Sequence, residues 1–262
     1  MLITGGSGFL GRHVVHRASS ADWNVIAPSS RLMDITDRAA TNAAITESNA
    51  DVVVHLAYRK EDRRVIVDGT RHVAEAATTA QSRLVHVSTD VVFAGRPLAY
   101  VEADVPDPIT EYGRHKADAE RAVAAAAPDA AIIRTSLLYG TVDPSPFQID
   151  LAQGLRTGSS PMTFFSDEFR CPVHVGDVAD AILRVAADNT IAGPLHVVGP
   201  ERVSRLDYAA ALAWHSGLGH VPLPSTTIAE SGMTRAANVV LDTALAASLG
   251  IECRTMGDSL AT

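Results

Sequence analysis

Met1-Leu2-Ile3 is a short apolar run, and a glycine-punctuated turn separates it from an amphipathic stretch over Phe9 to Ala18. A run that short suits a strand, and the spacing behind it suits a helix with one buried face. The alternation then repeats. Asn24–Ala27 predicts a second strand, followed by a loop at Pro28-Ser29-Ser30-Arg31 and a helix over Thr36–Ser48. Asp51-Val-Val-Val-His-Leu-Ala57 reads as a strand covered on both faces, because its apolar residues are consecutive. Val65–Ala80 predicts a helix and Arg83–Thr89 a strand. Gly113–Ala127 predicts an alanine-rich helix stopped by Pro128, and Ala131–Thr135 another strand. Such regularity predicts an α/β fold built on a doubly wound parallel sheet of Rossmann type.

After Gly140 the regularity loosens. Pro144, Pro146, Pro161 and Pro172 interrupt it, and turn residues cluster over 157–161. Helices are expected at Gly176–Asp188, Leu206–His215 and Leu241–Leu249, with a short strand at Leu195–Val198. The expected division is a dinucleotide-binding domain over 1–139, its sheet completed by about 172–192. A small substrate-binding lobe would take 140–171 and 193–262.

Composition narrows the class. Of 262 residues 47% are apolar and only 5% aromatic, so alanine and valine must fill the core, as in a parallel sheet closely covered by helices. A net charge of −8 and a pI near 5.6 argue against nucleic acid or an anionic membrane as partner. Cys171 and Cys253 lack metal-ligand spacing and the histidines are scattered, so no metal is expected. A reduced, cytoplasmic protein is the simplest reading. The chain shows no run long enough to cross a bilayer, and its glycine loop begins too early for a signal peptide.

Two clusters carry chemistry. Thr4-Gly5-Gly6-Ser7-Gly8-Phe9-Leu10-Gly11 lies between the first strand and the first helix. There bare backbone can approach a pyrophosphate while the helix start offers N–H groups. The spacing fits ordinary Rossmann dehydrogenases and the short-chain kind alike. Tyr112 and Lys116, four apart at a helix start, share one face. A phenol ionises near pH ~10, and a nearby ammonium would lower that toward useful acid/base chemistry. Ser88 and Thr89 put hydroxyls at the C-terminal end of a strand, where open α/β sheets bind ligands. Gly95, Pro97, Pro106 and Pro108 mark a loop able to bring them to Tyr112. After the second strand, where an NAD site usually carries an acid, stand Ser29, Ser30 and Arg31, with Arg12 just past the glycine loop. Hydroxyls and guanidinium groups suit a 2′-phosphate, so NADP is expected over NAD, with NAD still admissible.

From the glycine loop to near Leu241-Asp242 the chain resembles the extended short-chain dehydrogenase/reductase family. Within it, the likeness is to the branch that includes dTDP-4-dehydrorhamnose reductase. It is most specific at Ser88-Thr-Asp-Val-Val-Phe93, Tyr112-Gly-Arg-His-Lys116 and Arg134-Thr-Ser-Leu-Leu-Tyr-Gly140. The resemblance implies that Thr89 hydrogen-bonds a substrate carbonyl, that Tyr112 exchanges a proton there, and that Lys116 binds the cofactor ribose and tunes the phenol. It implies that Gly5, Gly8 and Gly11 meet the pyrophosphate, with Phe9 and Leu10 capping that loop. Asp34 and Ile35 would contact the adenine, and Leu56 and Ala57 would line the cofactor. Asp90 would adjoin the substrate, Arg170 would pair with a nucleotide diphosphate, and Arg235 matches an arginine of the C-terminal lobe. Two positions depart from the family. Ile66 stands where an asparagine supports a water-mediated proton relay, and Leu137 where the rhamnose-type reductases carry a large aromatic. The expected activity is NAD(P)H-dependent reduction of a keto group on a nucleotide-activated sugar. A nucleotide-sugar epimerase stays open, as do a non-catalytic dinucleotide-binding regulatory subunit and a homodimeric assembly.

Overall fold

The computed structural model describes residues 1–158 and 162–261, so residues 159–161 of the expected turn cluster lie outside the described residues. Five strands form one parallel sheet: β1 (Leu2–Thr4), β2 (Val52–His55), β3 (Arg83–Thr89), β4 (Ala131–Thr135) and the strand Gly193–His196, adjacent in that order. The expected strand at 24–27 is reduced to one bridge, in which Ile26 exchanges backbone bonds of 2.8 and 3.0 Å with Ile3 and Met1. It lies on the far side of β1 from β2. The chain therefore leaves β1 first to one side and then to the other, which opens a crevice above the β1 and β2 ends.

Strand residues alternate between two cores. Ile3, Val54, Val85 and Ile133 pack under helices α1 (Phe9–Ser20) and α6 (Val175–Ala187). Leu2, Val53, Leu84 and Ile132 pack on the opposite face. Three helices cover that face: α2 (Arg38–Ser48), α3 (Thr70–Thr79) and α4 (Glu111–Ala126). Burial of each such side chain contributes roughly 1.5–3 kcal/mol, so a one-residue slip would be heavily penalised.

The end of the sheet differs from expectation. Residues 172–192 supply α6, while the short strand Val173–His174 pairs with Leu138–Tyr139 outside the main sheet. The closing strand is Gly193–His196, pairing Leu195 with Ile133, inside the range assigned to the lobe. The reason is local. Gly193 at φ +75° turns the chain, and Pro194 hides the strand start from a search for apolar runs. Likewise Leu241 bridges to Tyr100, and the helix behind it spans only Ala244–Ser248. Helices α5 (Pro146–Thr157) and α7 (Arg205–Ala213) share a smaller core of Tyr139, Leu151, Phe164, Tyr208 and Leu212. No helix among the described residues is long and apolar enough to cross a membrane.

Candidate active site

β1 ends at Thr4 and the chain turns at once. Gly5 sits at φ +70°, and a Cβ there would lie 2.7 Å from the Ala57 nitrogen; one at Gly11 would lie 2.0 Å from the Gly5 carbonyl oxygen. Only bare backbone fits both places. Gly8 precedes α1 without a side-chain cap, which leaves first-turn amides for a ligand or water. Thr4 Oγ1 accepts from the Leu56 and Ala57 amides at 3.2 Å each and lies 2.7 Å from His55 Nδ1. That clamp ties the β2 exit to β1, and it commits the two amides expected to line a cofactor.

Above the clamp lies a cavity of about 590 Å³, a size typical of ligand sites. Gly5, Gly8, Ser30, Asp34, Ile35, Leu56 and Ala57 line it, as expected from the sequence, and so do Tyr58, Arg59, Asp62 and Arg64, which were not foreseen. Ser29 and Arg31 are exposed and fall outside the lining. Arg12 is held by Asp143 through bonds of 2.6 and 2.8 Å, so it is not free for a 2′-phosphate. The Asp34 carboxylate accepts from the Thr36 amide and hydroxyl, bonds that hold it below the usual carboxylate range. Phe9 is half-buried beneath the Arg12 guanidinium, 5.2 Å from its ring, whereas Leu10 packs into the sheet core. Leu10 therefore anchors the glycine loop from below and does not cap it.

Thr89 is the last residue of β3, and Tyr112 lies in the first turn of α4, which Thr110 caps by accepting from the Gly113 amide at 3.1 Å. A Cβ at Gly113 would lie 2.2 Å from the Val91 carbonyl oxygen, so the helix start rests directly on the turn after Thr89. This contact brings the two hydroxyls to one place, where Thr89 acts on the Tyr112 phenol. Thr89 Oγ1 donates to Asp90 Oδ1 at 3.2 Å, and Ser136 Oγ donates to Asp90 Oδ2 at 2.6 Å. Burial raises the Asp90 pKa, with Arg170 opposing. Ser88 points to the other face of β3, buried and without a partner among the described residues, so it does not join this group.

Burial also pushes the Tyr112 phenol above its usual range, aided by Tyr58 and Asp90 and opposed by the Thr89 hydroxyl. The expected lowering by Lys116 is not what the geometry gives. The ammonium turns toward the sheet, donating to the Val87 carbonyl at 2.7 Å, and lies 3.5 Å from His86 Nε2. Burial pulls Lys116 down to about 8, Glu120 opposing. Ile66 is buried against the Tyr112 side, and the Tyr58 ring stands 6.4 Å from that of Tyr112.

Arg170 is buried. Its guanidinium donates to the Phe169 and Ala236 carbonyls at 2.8 Å each and pairs with Glu168 at 3.1 Å and Asp90 at 3.7 Å. A diphosphate would have to displace this internal network, so the expected contact does not hold for Arg170. A second cavity of about 600 Å³ is lined instead by Arg205 and Arg235, with Phe147, Phe165 and Met233. Arg235 also holds Glu168, at 3.0 Å for one of its two bonds, and so links that cavity to Asp90 through Arg170. Leu137 sits at the edge of the lobe core.

A glycine-cradled crevice beside a Thr–Tyr–Lys group at the sheet's carboxyl edge defines a protein of the short-chain dehydrogenase/reductase class. The whole chain, residues 1–262, matches the family described as RmlD substrate binding domain, and it belongs to that family. It is similar to dTDP-4-dehydrorhamnose reductase of Mycobacterium tuberculosis, 33% identical over 227 residues, 81% of this chain and 74% of the relative. It is also similar to methionine adenosyltransferase 2 subunit beta of Rattus norvegicus, 29% identical over 282 residues, 97% of this chain and 84% of the relative. Among solved structures, dTDP-4-dehydrorhamnose reductase from Bacillus anthracis in complex with NADP shares the fold, with TM-score 0.89 at 23% identity over 99% of this chain and 96% of that one. MoeE5 in complex with UDP-glucuronic acid and NAD superposes with TM-score 0.82 at 25% identity, covering 100% and 96%.

Proposed function

We propose that this protein is an NAD(P)H-dependent oxidoreductase that reduces a keto group on a nucleotide-activated sugar, with NADPH preferred. The observation that carries the reading is the approach of Thr89 and Tyr112, seated by Gly113 at the strand end beside the glycine crevice, with a buried lysine one turn on. The crevice fits a dinucleotide, since its glycine loop is backed so closely by the Ala57 nitrogen and the Gly5 carbonyl that only bare backbone faces it. Gly5, Gly8 and Gly11 would hold the pyrophosphate, and Asp34, Ile35, Leu56 and Ala57 the adenosine and ribose. Arg59 and Arg64, rather than Arg31, give the cavity the positive charge that suits a 2′-phosphate.

A bound nicotinamide supplies the hydride. Tyr112, kept protonated at neutral pH by its burial, gives its proton to the carbonyl oxygen. Thr89 turns its single hydroxyl hydrogen from Asp90 to the same oxygen as negative charge develops there. Lys116 spends two of its three N–H donors on Val87 and His86, leaving one for a ribose hydroxyl. In the small lobe Arg205 and Arg235 receive the diphosphate and the aromatic wall of the second cavity takes the base. Epimerisation would start with Tyr112 as a base, which its raised pKa disfavours. We place the protein in the cytoplasm, where Cys171 and Cys253, both free, stay reduced. Oxidation of NADPH on addition of a dTDP-4-keto sugar tests the reading. Intact NADPH binding with no turnover of any such sugar would overturn it in favour of a non-catalytic subunit.

A further inference from the structure

His55 on β2 and His86 on β3 stand opposite one another in the parallel register, their rings stacked at 5.2 Å and 27°. Both are almost wholly buried on a sheet face where aliphatic residues are the rule. His55 is satisfied, with Thr4 Oγ1 2.7 Å from Nδ1 and Thr70 Oγ1 3.0 Å from Nε2. His86 is not: its Nε2 lies 3.5 Å from Lys116 Nζ, and its Nδ1 has no partner among the described residues. A buried nitrogen left unpaired is costly, so an imidazole here calls for a reason beyond packing. At position 66, where the resemblance predicts an asparagine relay, the side chain is the apolar Ile66.

We propose that His86 is a positioning residue for Lys116, its Nε2 accepting an ammonium hydrogen and holding the charge one turn from Tyr112 in place of an asparagine relay. The inference rests on the reading of Tyr112 as the acid and Lys116 as its partner. Burial keeps both imidazoles uncharged, pulling His55 down to about 3 and His86 well below its ordinary value, so Nε2 is an acceptor and the proton sits on Nδ1. The titratable groups facing this ammonium are His55 from β2, His86 from β3 and Glu120 from α4; Tyr58 and Asp90 face the Tyr112 phenol one turn away. Since an acceptor stabilises the charged form, removing it lowers the Lys116 pKa further.

The chain contains two lysines, Lys60 and Lys116. Lysine labelled with carbon-13 at Cε therefore gives two side-chain signals, with exposed Lys60 as internal reference. In the wild type the Lys116 signal should titrate at about 8, where burial places it. His86→Leu and His86→Asn, which both vacate the Nε2 position, lower that midpoint by roughly half a pH unit or more. His86→Gln, whose carbonyl reaches the same place, leaves it near the wild-type value. The kcat–pH profile for keto-sugar reduction shifts with the lysine, while cofactor affinity barely changes. An unchanged Lys116 midpoint in His86→Asn or His86→Leu overturns the proposal, as does His86→Gln behaving like them. Should the lysine shift appear in a protein that reduces no keto sugar, the functional reading falls and the positioning role stands.

Discussion

Replacing Gly113 with alanine adds one methyl group between the first turn of α4 and the turn after Thr89. The new Cβ would stand 2.2 Å from the Val91 carbonyl oxygen, where ordinary contact begins at 3.4 Å, so the two segments must part by about 1.2 Å. Overpacking of this kind costs roughly 1–3 kcal/mol, and alanine's better helix propensity returns up to about 1 kcal/mol. The protein stays folded. Thr89 and Tyr112, however, stand on either side of the gap that opens, and a misplacement of about 1 Å in a catalytic group is worth ~10²-fold in rate. Tyr112 and Thr89 would no longer meet at one carbonyl oxygen. The glycine crevice is untouched, so cofactor affinity holds. Steady-state reduction of a dTDP-4-keto sugar, with NADPH binding measured by fluorescence titration, separates the two effects. A Gly113→Ala enzyme turning over within twofold of the wild type would show that the contact does not set the site. Equal losses in turnover and NADPH affinity would point instead to general damage.

Tyr112→Phe keeps the ring and removes the proton, so kcat should fall ~10²–10⁴-fold with NADPH affinity little changed; a wild-type rate would end the acid assignment. NADPH should bind more tightly than NADH, and Arg59→Ala with Arg64→Ala should erase that preference while Arg31→Ala leaves it. A titration showing NADH tighter by tenfold in the wild type, or Arg31→Ala alone reversing the order, would refute this placement of the 2′-phosphate.

Much of this was legible in the sequence. Strands read correctly where consecutive apolar residues fill both faces, as in Val52–His55 and Arg83–Thr89. The glycine loop announced itself because only glycine satisfies its contacts. Thr89, Tyr112 and Lys116 were readable as a set because a strand end and a helix start are local signals. The errors fall where the deciding interaction is distant in sequence. Arg12 is claimed by Asp143 and Arg170 by Ala236, and neither pairing leaves a local trace. Arg59 and Arg64 sit in a run of mixed charges that reads as a solvated loop, yet the turn after β2 folds them over the crevice. The direction of Lys116 was hidden too, since helical spacing gives its face but not the inward bend of its stem to Val87.

Sequence similarity alone does not separate the reductase from the subunit reading, because dTDP-4-dehydrorhamnose reductase and methionine adenosyltransferase 2 subunit beta both match most of the chain. The burial of Lys116 offers a test. Its pKa stands at about 8 in the fold against an ordinary 10.5. Between those values the unfolded chain binds more protons than the folded one, so stability rises with pH across that window. At pH 7 the buried charge opposes folding by on the order of 3 kcal/mol. A chain that served only assembly would gain from losing that charge, whereas a reductase needs it at the ribose. Lys116→Met, similar in length and apolar, should therefore raise the melting temperature at pH 7 by about 5 °C. The advantage should shrink toward pH 10, while keto-sugar reduction is lost. A melting temperature that falls at pH 7 would mean that Lys116 is a stabilising part of the core. In that event its burial would be no argument for catalysis, and the subunit reading would regain its footing.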